Sequence, residues 1–514
     1  MANNKHLLVA KTLKKTYIRL EINLYKLPKL IFFIYLRRIK KRKKMEIIGR
    51  TKEQQALLQY FESDKPEFVA VYGRRRVGKT FLIKEFFNNK FSFYTSGLID
   101  ATREEQLENF SRTISFYGNM PYPRAENWLE AFIQLIHLLE NNKKKGKKVI
   151  FIDELSWLDT PRSGFMTGLE YFWNTWASAR PEILLIVCGS ATSWMINKLL
   201  NNRGGLHNRV TRRMAIEPFN LLECELFFKH KKVVLERKEI IESYMIFGGI
   251  PFYLNLFEKN LSLAQNVDKL CFAKNCELKD EFSILFSSLF KRSENHELIV
   301  KTLAKKKIGM TREEIINDTK LQGGGLTTVL EELEQCGFIR SYYAYGKLTK
   351  ERLYQLVDFY SLFYLNFIKN NRQNDENYWT NLIDNAKHRA WSGYAFEQVC
   401  MQHIKQIRHK LGISGVVTYT ASWRSKKSEP AAQIDLVIER NDKVINLCEI
   451  KYANEEFTID KNLDDNLRHK RGAFKYETKT RKAVHQTMIT TYGIKHNMYW
   501  NNIQSEVVAN DLFM

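Results

Sequence analysis

The sequence predicts an α/β multidomain protein whose first half is built on a parallel β-sheet, and three observations predict it. Short apolar runs, FVAVY (68–72), VIFI (149–152) and ILLIV (183–187), lie far apart and are separated by stretches with helical periodicity. Strands joined by helical crossovers lie parallel, with both faces of the sheet covered. A glycine-rich segment links the first run to a helix-like stretch, TFLIKEFF (80–87). At 514 residues the chain also exceeds one core, because cores stop growing near about 250–300 residues.

An apolar fraction of 44% with 13% aromatics excludes a largely disordered chain. The formal charge of +24 is unevenly spread: residues 1–44 hold 14 Lys or Arg against the single acid Glu21, so more than half of the charge lies there. The apolar run Leu30 to Leu36 in that stretch is much shorter than the about 20 residues that span a bilayer, so no membrane anchor is expected. It also lacks the small-residue cleavage site of a secretory signal. Residues 1–44 read either as a basic nucleic-acid or membrane-surface arm or as a non-native extension, because MEIIGRTKEQQALL from Met45 reads as a natural domain start. The seven cysteines are scattered without a C-x-x-C pair, which fits reduced thiols and a cytoplasmic location.

The domain order follows from pattern shifts. Residues 45–220 form the parallel-sheet unit, with Ala215 to Pro218 expected to close the sheet. Residues 221–290 read as a helical lid broken at FGGIPFYL (247–254). Residues 294–355 run helix, short helix (TREEIINDT), Gly-rich turn, helix (TTVLEELEQCGFI) and a Tyr-rich hairpin, an order that resembles a winged helix and offers its second helix-turn-helix element to a DNA groove or serves only as a spacer. Residues 356–390 read as a helical connector ending in a polar linker near 370–385, and 391–514 as a final α/β unit.

GRRRVGKT (73–80) matches G-x-x-x-x-G-K-[ST] at every fixed position, between a strand and a helix as the chemistry requires. Gly73 and Gly78 let backbone N–H groups turn inward around phosphate oxygens, and the following helix adds its positive end. Lys79 would neutralise β- and γ-phosphate charge and Thr80 would bind Mg2+. VIFIDE (149–154) puts Asp153 and Glu154 at a strand's carboxyl end, where parallel sheets bind ligands. Asp153 would hold Mg2+, while Glu154 either polarises the attacking water or caps the next helix. Ser190, at the end of the third strand, either positions that water or caps a helix. In NNRGGLHNRVTRR (201–213), Arg209, Arg212 or Arg213 could reach a neighbouring subunit's nucleotide as an arginine finger in a homo-oligomer, Arg209 being the choice, or serve as a surface or DNA-facing charge. The implied cofactors are ATP and Mg2+.

IIGR (47–50), GRRRVGKT, FIDEL (151–155), the GGL…NRV segment and FGGIPFYL together resemble the archaeal-type ATPase family of AAA-related P-loop proteins, also widespread in bacteria. The resemblance covers about residues 45–290 and implies a P-loop ATPase core. It adds Arg50, Arg76, Gly249 and Pro251 to the nucleotide side, since the family's Gly-Gly-x-Pro turn approaches the nucleotide. His207-Asn208 stands where relatives often show Tyr-Gly, a departure at the finger segment.

In AAQIDLVIERNDKVINLCEIKY (431–452), two apolar runs joined by RNDK predict a hairpin carrying Asp435 on one strand and Glu449 with Lys451 on the other. Glu449 and Lys451 share a face, and burying both without a purpose would be costly. Hard carboxylate oxygens for Mg2+ with a cation nearby suit phosphodiester cleavage, and Glu397, on the helical stretch GYAFEQVCMQHI, could complete the metal shell. The set Glu397, Asp435, Glu449-x-Lys451 resembles the PD-(D/E)xK nuclease superfamily, with Ile434 in place of the usual Pro before Asp435, and implies a C-terminal nuclease-like domain with Lys451 catalytic. The expectation is an ATP-hydrolysing protein that acts on DNA through a metal-dependent nuclease-like domain. The alternative is an ATP-controlled regulatory switch or a DNA-binding protein with an inactive nuclease fold.

Overall fold

The computed structural model describes residues 46–514 except 202, 203, 291, 347–351, 372, 373 and 426, so the basic extension 1–44 lies outside the described residues. The three apolar runs become buried strands with two partners each. β1 (Glu67–Tyr72), β2 (Phe93–Ser96), β3 (Lys148–Asp153), β4 (Ile183–Gly189) and β5 (Arg212–Ala215) form one sheet in the order β2-β3-β4-β1-β5. Every pairing in it is parallel.

One core packs a face of this sheet through Phe68, Ile150, Ile152, Leu185 and Val187 against Phe110, Trp128, Phe132 and Phe172, each at most 1% exposed. Burying each such side chain contributes about 1.5–3 kcal/mol, which fixes the strand ends that carry the site. The crossover helices are well terminated: Thr102 and Glu105 form a capping box on Arg103–Gly118, and the Asn127 side chain caps Trp128–Asn141.

Two sheet members depart from expectation. The closing strand is Arg212–Ala215 rather than 215–218, and β2 carried too short an apolar pattern to be read. Both are edge strands, with only one flank paired, so arginines at two positions of β5 stay exposed and break its apolar signal.

Helices Leu221–Lys231, Arg237–Phe247, Pro251–Asn255, Leu263–Cys271 and Glu281–Leu289 follow. Gly248 ends Arg237–Phe247 with φ 65°, and Gly249 (φ 67°) passes so close to Phe219 that its carbonyl oxygen accepts from Phe219 N at 2.8 Å.

Next come helix Glu294–Leu303, β6 (Met310–Thr311), helices Arg312–Thr319 and Gly323–Gln335, β7 (Ile339–Tyr343) and β8 (Arg352–Leu356), the strands forming an antiparallel sheet in the order β6-β8-β7. Asp358 caps Phe359–Asn366, accepting from Ser361 N at 2.9 Å. The expected linker near 370–385 contains a short helix, Tyr378–Leu382, and the next helix begins at Ala386 rather than near Trp391, capped by Asn385.

The C-terminal part is a separate mixed sheet. Helix Ala386–Gln402 leads to β9 (Thr418–Arg424), β10 (Gln433–Arg440), β11 (Val444–Lys451), helix Lys461–Thr478, β12 (Ala483–Thr490) and β13 (Ser505–Val508), in the order β13-β12-β11-β10-β9. β9, β10 and β11 pair antiparallel, and β11, β12 and β13 pair parallel.

From Ile48 to Met514 the chain is one compact unit. The helix Arg237–Phe247 is held to the C-terminal part: Tyr452 Oη donates to Glu242 Oε1 at 2.5 Å, and Lys238 Nζ donates to Asn454 Oδ1 at 3.0 Å. His403, its pKa pushed down to about 4 by burial, is neutral and accepts from Leu221 N at 3.1 Å. On the other flank Tyr345 N donates to Ser422 O at 2.9 Å, and the Tyr345 ring lies 5.0 Å from that of Phe474.

Candidate nucleotide site and C-terminal acid cluster

The glycine loop sits at the carboxyl end of β1, beside the ends of β4 and β5. Gly73 takes φ 142° and Gly78 φ 88°, and a Cβ on Gly73 would meet Ile216 O at 2.3 Å, so both positions need glycine's freedom. Lys79 begins helix Lys79–Phe86 and is 6% exposed. Its Nζ donates to Gly73 O and Arg74 O, both at 2.8 Å, which closes the loop over its own lysine. Burial lowers the Lys79 pKa, while Glu154 and Asp153 act in the opposite direction.

The two motifs meet in one place. Thr80 Oγ1 donates to Asp153 Oδ2 at 2.8 Å, and Glu154 N donates to Asp153 Oδ1 at 3.0 Å. Ser190 donates to Glu154 Oε2 twice, from Oγ at 2.8 Å and from N at 3.2 Å. The Glu154 side chain makes no cap bond to the short helix Leu155–Leu158, and its backbone at φ 45° turns the carboxylate toward Ser190 instead. Helix Thr192–Trp194 begins after Ala191, so Ser190 does not occupy its cap position. A hydroxyl and a carboxylate at hydrogen-bond distance at the foot of a phosphate loop are a fit for Mg2+, which keeps several waters and takes few protein ligands.

The remaining nucleotide-side candidates act through the loop or beside it. Arg50, 5% exposed, donates from Nη2 to Val77 O at 3.1 Å and lies 4.7 Å over the Phe219 ring, so it braces the loop from behind. Arg76 pairs with Glu281 at 2.7 Å and lies 4.1 Å over Phe252, which follows Pro251, so the Gly-Gly-x-Pro turn reaches the loop through that ring. Gly249 supports Phe219 and does not line the cavity beside the loop, whereas Gly248 does. This cavity, about 1080 Å³, has Gly49, Arg50, Gly73, Arg74, Cys336 and Asp358 among its walls. Arg209 is exposed. Arg212 pairs with Glu67 at 3.0 Å at the opposite end of the sheet, and Arg213 donates to Leu200 O at 3.2 Å.

In the C-terminal part, the pairing of β9 with β10 slips between Ile434 and Val437, a bulge that places Asp435. Ile450 N donates to Asp435 Oδ2 at 3.4 Å, which puts Asp435 against β11 beside Glu449. Burial, then the Glu449 charge, pushes the Asp435 pKa up to about 6. Burial, then Asp435, pushes Glu397 up to about 8. Glu449 goes the other way: burial opposes its charge, but Lys451 and Lys470, at 2.8 and 2.7 Å, outweigh it and lower its pKa.

Glu397, Asp435 and Glu449 were expected to form a metal shell. Among the described residues no group of three His, Cys, Asp or Glu side chains is arranged to hold a metal ion. Both Glu449 oxygens are held by ammonium groups, Lys451 and Lys470. Sequence reasoning missed Lys470, and its only signal was a basic cluster (RHKR, 468–471) on the helix after the hairpin. It also missed Asp358, Glu281 and Cys336, which face the nucleotide loop from more than 200 residues away.

A parallel sheet with a glycine phosphate loop at its carboxyl edge, whose threonine meets a strand-end aspartate, defines a P-loop ATPase. Residues 47–257 match the family described as "ATPase domain predominantly from Archaea", and residues 359–463 match "Archaea bacterial proteins of unknown function". The first half of the chain is thus similar to an archaeal-type ATPase domain, and a later stretch to that second family's domain. It is 25% identical over 413 residues to an uncharacterized protein of Methanocaldococcus jannaschii, covering 79% of this chain and 88% of the relative. It is 23% identical over 272 residues to an uncharacterized ATP-binding protein of the same organism, covering 44% of this chain and 74% of the relative. A Walker-type ATPase of Pyrococcus abyssi is similar with a TM-score of 0.46 and 19% identity, covering 63% of this chain and 99% of that one. Among the described residues no helix is long and apolar enough to cross a membrane.

Proposed function

We propose that this protein hydrolyses ATP and uses the cycle to control a C-terminal domain that acts on DNA. The observation that carries the first part is the continuous chain Thr80–Asp153–Glu154–Ser190, in which each acid is held by a neighbour suited to its task. With ATP bound, Lys79 would leave its two loop carbonyls for the phosphates. Thr80 and Asp153 would hold Mg2+, which when bound neutralises phosphate charge. Glu154, steadied by Ser190, would take a proton from the attacking water. An exposed Arg209 suits a finger presented to a neighbouring copy in a homo-oligomer.

The second part rests on the order helix, three antiparallel strands, helix, parallel strand, and on Asp435, Glu449 and Lys451 lying together on the adjoining inner strands β10 and β11. Both suit a PD-(D/E)xK-like domain. The alternative for this half is a nuclease-like fold that binds DNA without cleaving it, with Glu449 held by Lys451 and Lys470. We read residues 294–355 as a winged helix. Its third helix, Gly323–Gln335, the second of the helix-turn-helix pair, carries Glu331, Glu332 and Glu334 and no Lys or Arg, so DNA would be met elsewhere.

The test compares ATP turnover by wild type, Lys79→Ala and Glu154→Gln, and incubates DNA with Mg2+ or Mn2+ and wild type, Asp435→Ala or Lys451→Ala. We expect Lys79→Ala to lose nucleotide binding and Glu154→Gln to bind ATP but hydrolyse it about 100-fold or more slowly. Equal turnover by wild type and Glu154→Gln would remove the hydrolytic route. Cleavage by wild type that both C-terminal variants lose would establish the nuclease over the binding-only alternative.

A further inference from the structure

A phosphate loop needs small residues and one lysine, yet this loop carries three consecutive arginines, Arg74, Arg75 and Arg76. Two of them are spent on distant carboxylates. Arg76 pairs with Glu281, which also accepts from Tyr253 Oη at 2.8 Å. Arg74 is the more informative. It is 9% exposed, its Nη1 pairs with Asp358, and its guanidinium lies 5.0 Å over the Phe338 ring. Asp358, itself 3% exposed, uses its other oxygen to cap helix Phe359–Asn366 at Ser361 N.

The second observation is a donor without an acceptor. Arg74 Nη2 is buried and has no hydrogen-bond partner, although the same residue's carbonyl oxygen accepts from Lys79 Nζ in the phosphate loop. A buried guanidinium nitrogen left unpaired is costly, and an anion beside the loop would satisfy it. Gly73, Arg74, Cys336 and Asp358 wall one cavity, so an entering anion meets Arg74 and its partner together.

We propose that Arg74 is shared between the nucleotide's phosphates and Asp358, so that ATP binding unlatches residues 336–339 and 357–366 from the phosphate loop. The inference rests on the reading that this loop binds ATP. A polyphosphate placed against Arg74 competes for the guanidinium and repels the Asp358 carboxylate. Asp358 is joined to the helix it caps and follows β8, so its release frees a segment rather than a side chain.

The experiment measures hydrogen exchange in the full chain with and without a non-hydrolysable ATP analogue, together with analogue affinity from a fluorescence titration. In wild type the analogue should raise exchange in 336–339 and 357–366. Asp358→Asn keeps the helix cap, since asparagine caps as well as aspartate, but removes the charge. It should show that raised exchange without nucleotide and bind the analogue about five- to tenfold more tightly, as expected when a closed state no longer has to be displaced. Arg74→Gln should also exchange freely yet bind more weakly, the opposite sign. Analogue binding that leaves exchange in both segments unchanged, or affinity shifts of the same sign in the two variants, overturns the latch and leaves ATP binding standing. Failure of wild type to bind the analogue overturns both.

Discussion

At the scale of single residues, the C-terminal acids carry a pH signature. Glu397 and Asp435 both sit above the ordinary carboxylate range, at about 8 and about 6, with burial the first cause in each. The folded state therefore binds more protons than the unfolded chain above about pH 4, and stability falls as pH rises until each group has ionised in both states. Glu449 has the opposite sign: its pKa is lowered, so its contribution is present above the ordinary value and is lost as pH falls through the lowered one. Glu397→Gln should flatten the decline between about pH 5 and pH 8 and be the more stable protein at the upper end by on the order of 2 kcal/mol. Urea unfolding of both proteins at each end of that range measures this. An unchanged slope in the variant would mean that Glu397 ionises normally.

At the scale of elements, the turn after helix Arg237–Phe247 holds the helices beyond the sheet against the nucleotide loop. A Cβ on Gly249 would meet Phe219 O at 2.2 Å, and φ 67° is already unfavourable for any other residue. Gly249→Ala should cost about 2 kcal/mol or more, since the left-handed conformation alone costs about 1–2 kcal/mol. It should also weaken nucleotide binding, because Phe219 supports Arg50 and Arg50 supports Val77 of the loop. Thermal melting with and without ATP reads both effects. A melt within about 0.5 kcal/mol of wild type would show that the turn tolerates a side chain.

At the scale of the whole molecule, charge and domain contacts act separately. More than half of the net +24 lies in residues 1–44, while the site residues all lie beyond residue 45. Removing residues 1–44 should reduce DNA affinity and flatten its dependence on salt, because fewer counterions are released, and leave the ATP turnover rate unchanged. Affinity measured at several salt concentrations checks the first, and a turnover assay the second. An unaltered salt slope would place the DNA contacts within residues 45–514.

The local chemistry was legible because it is written in short range. GRRRVGKT and VIFIDE each specify a backbone shape and a side-chain set within a few residues, and the sheet that presents them is specified by apolar runs that only a covered strand tolerates. The hairpin carrying Asp435 and Glu449 was legible for the same reason. β2 and β5 were not, because an edge strand needs little apolar pattern, and the bulge at Asp435 depends on the neighbouring strand β9.

The sequence by itself determined the phosphate loop, its acid partner and the α/β class, since each follows from residue spacing along one or two adjoining elements. Only the tertiary structure decided what surrounds them: that Arg74 faces Asp358 and that Glu449 is held between Lys451 and Lys470. Pairings such as Arg74 with Asp358, 284 residues apart, are set by how whole elements pack. A buried charge leaves no local trace of the partner that neutralises it.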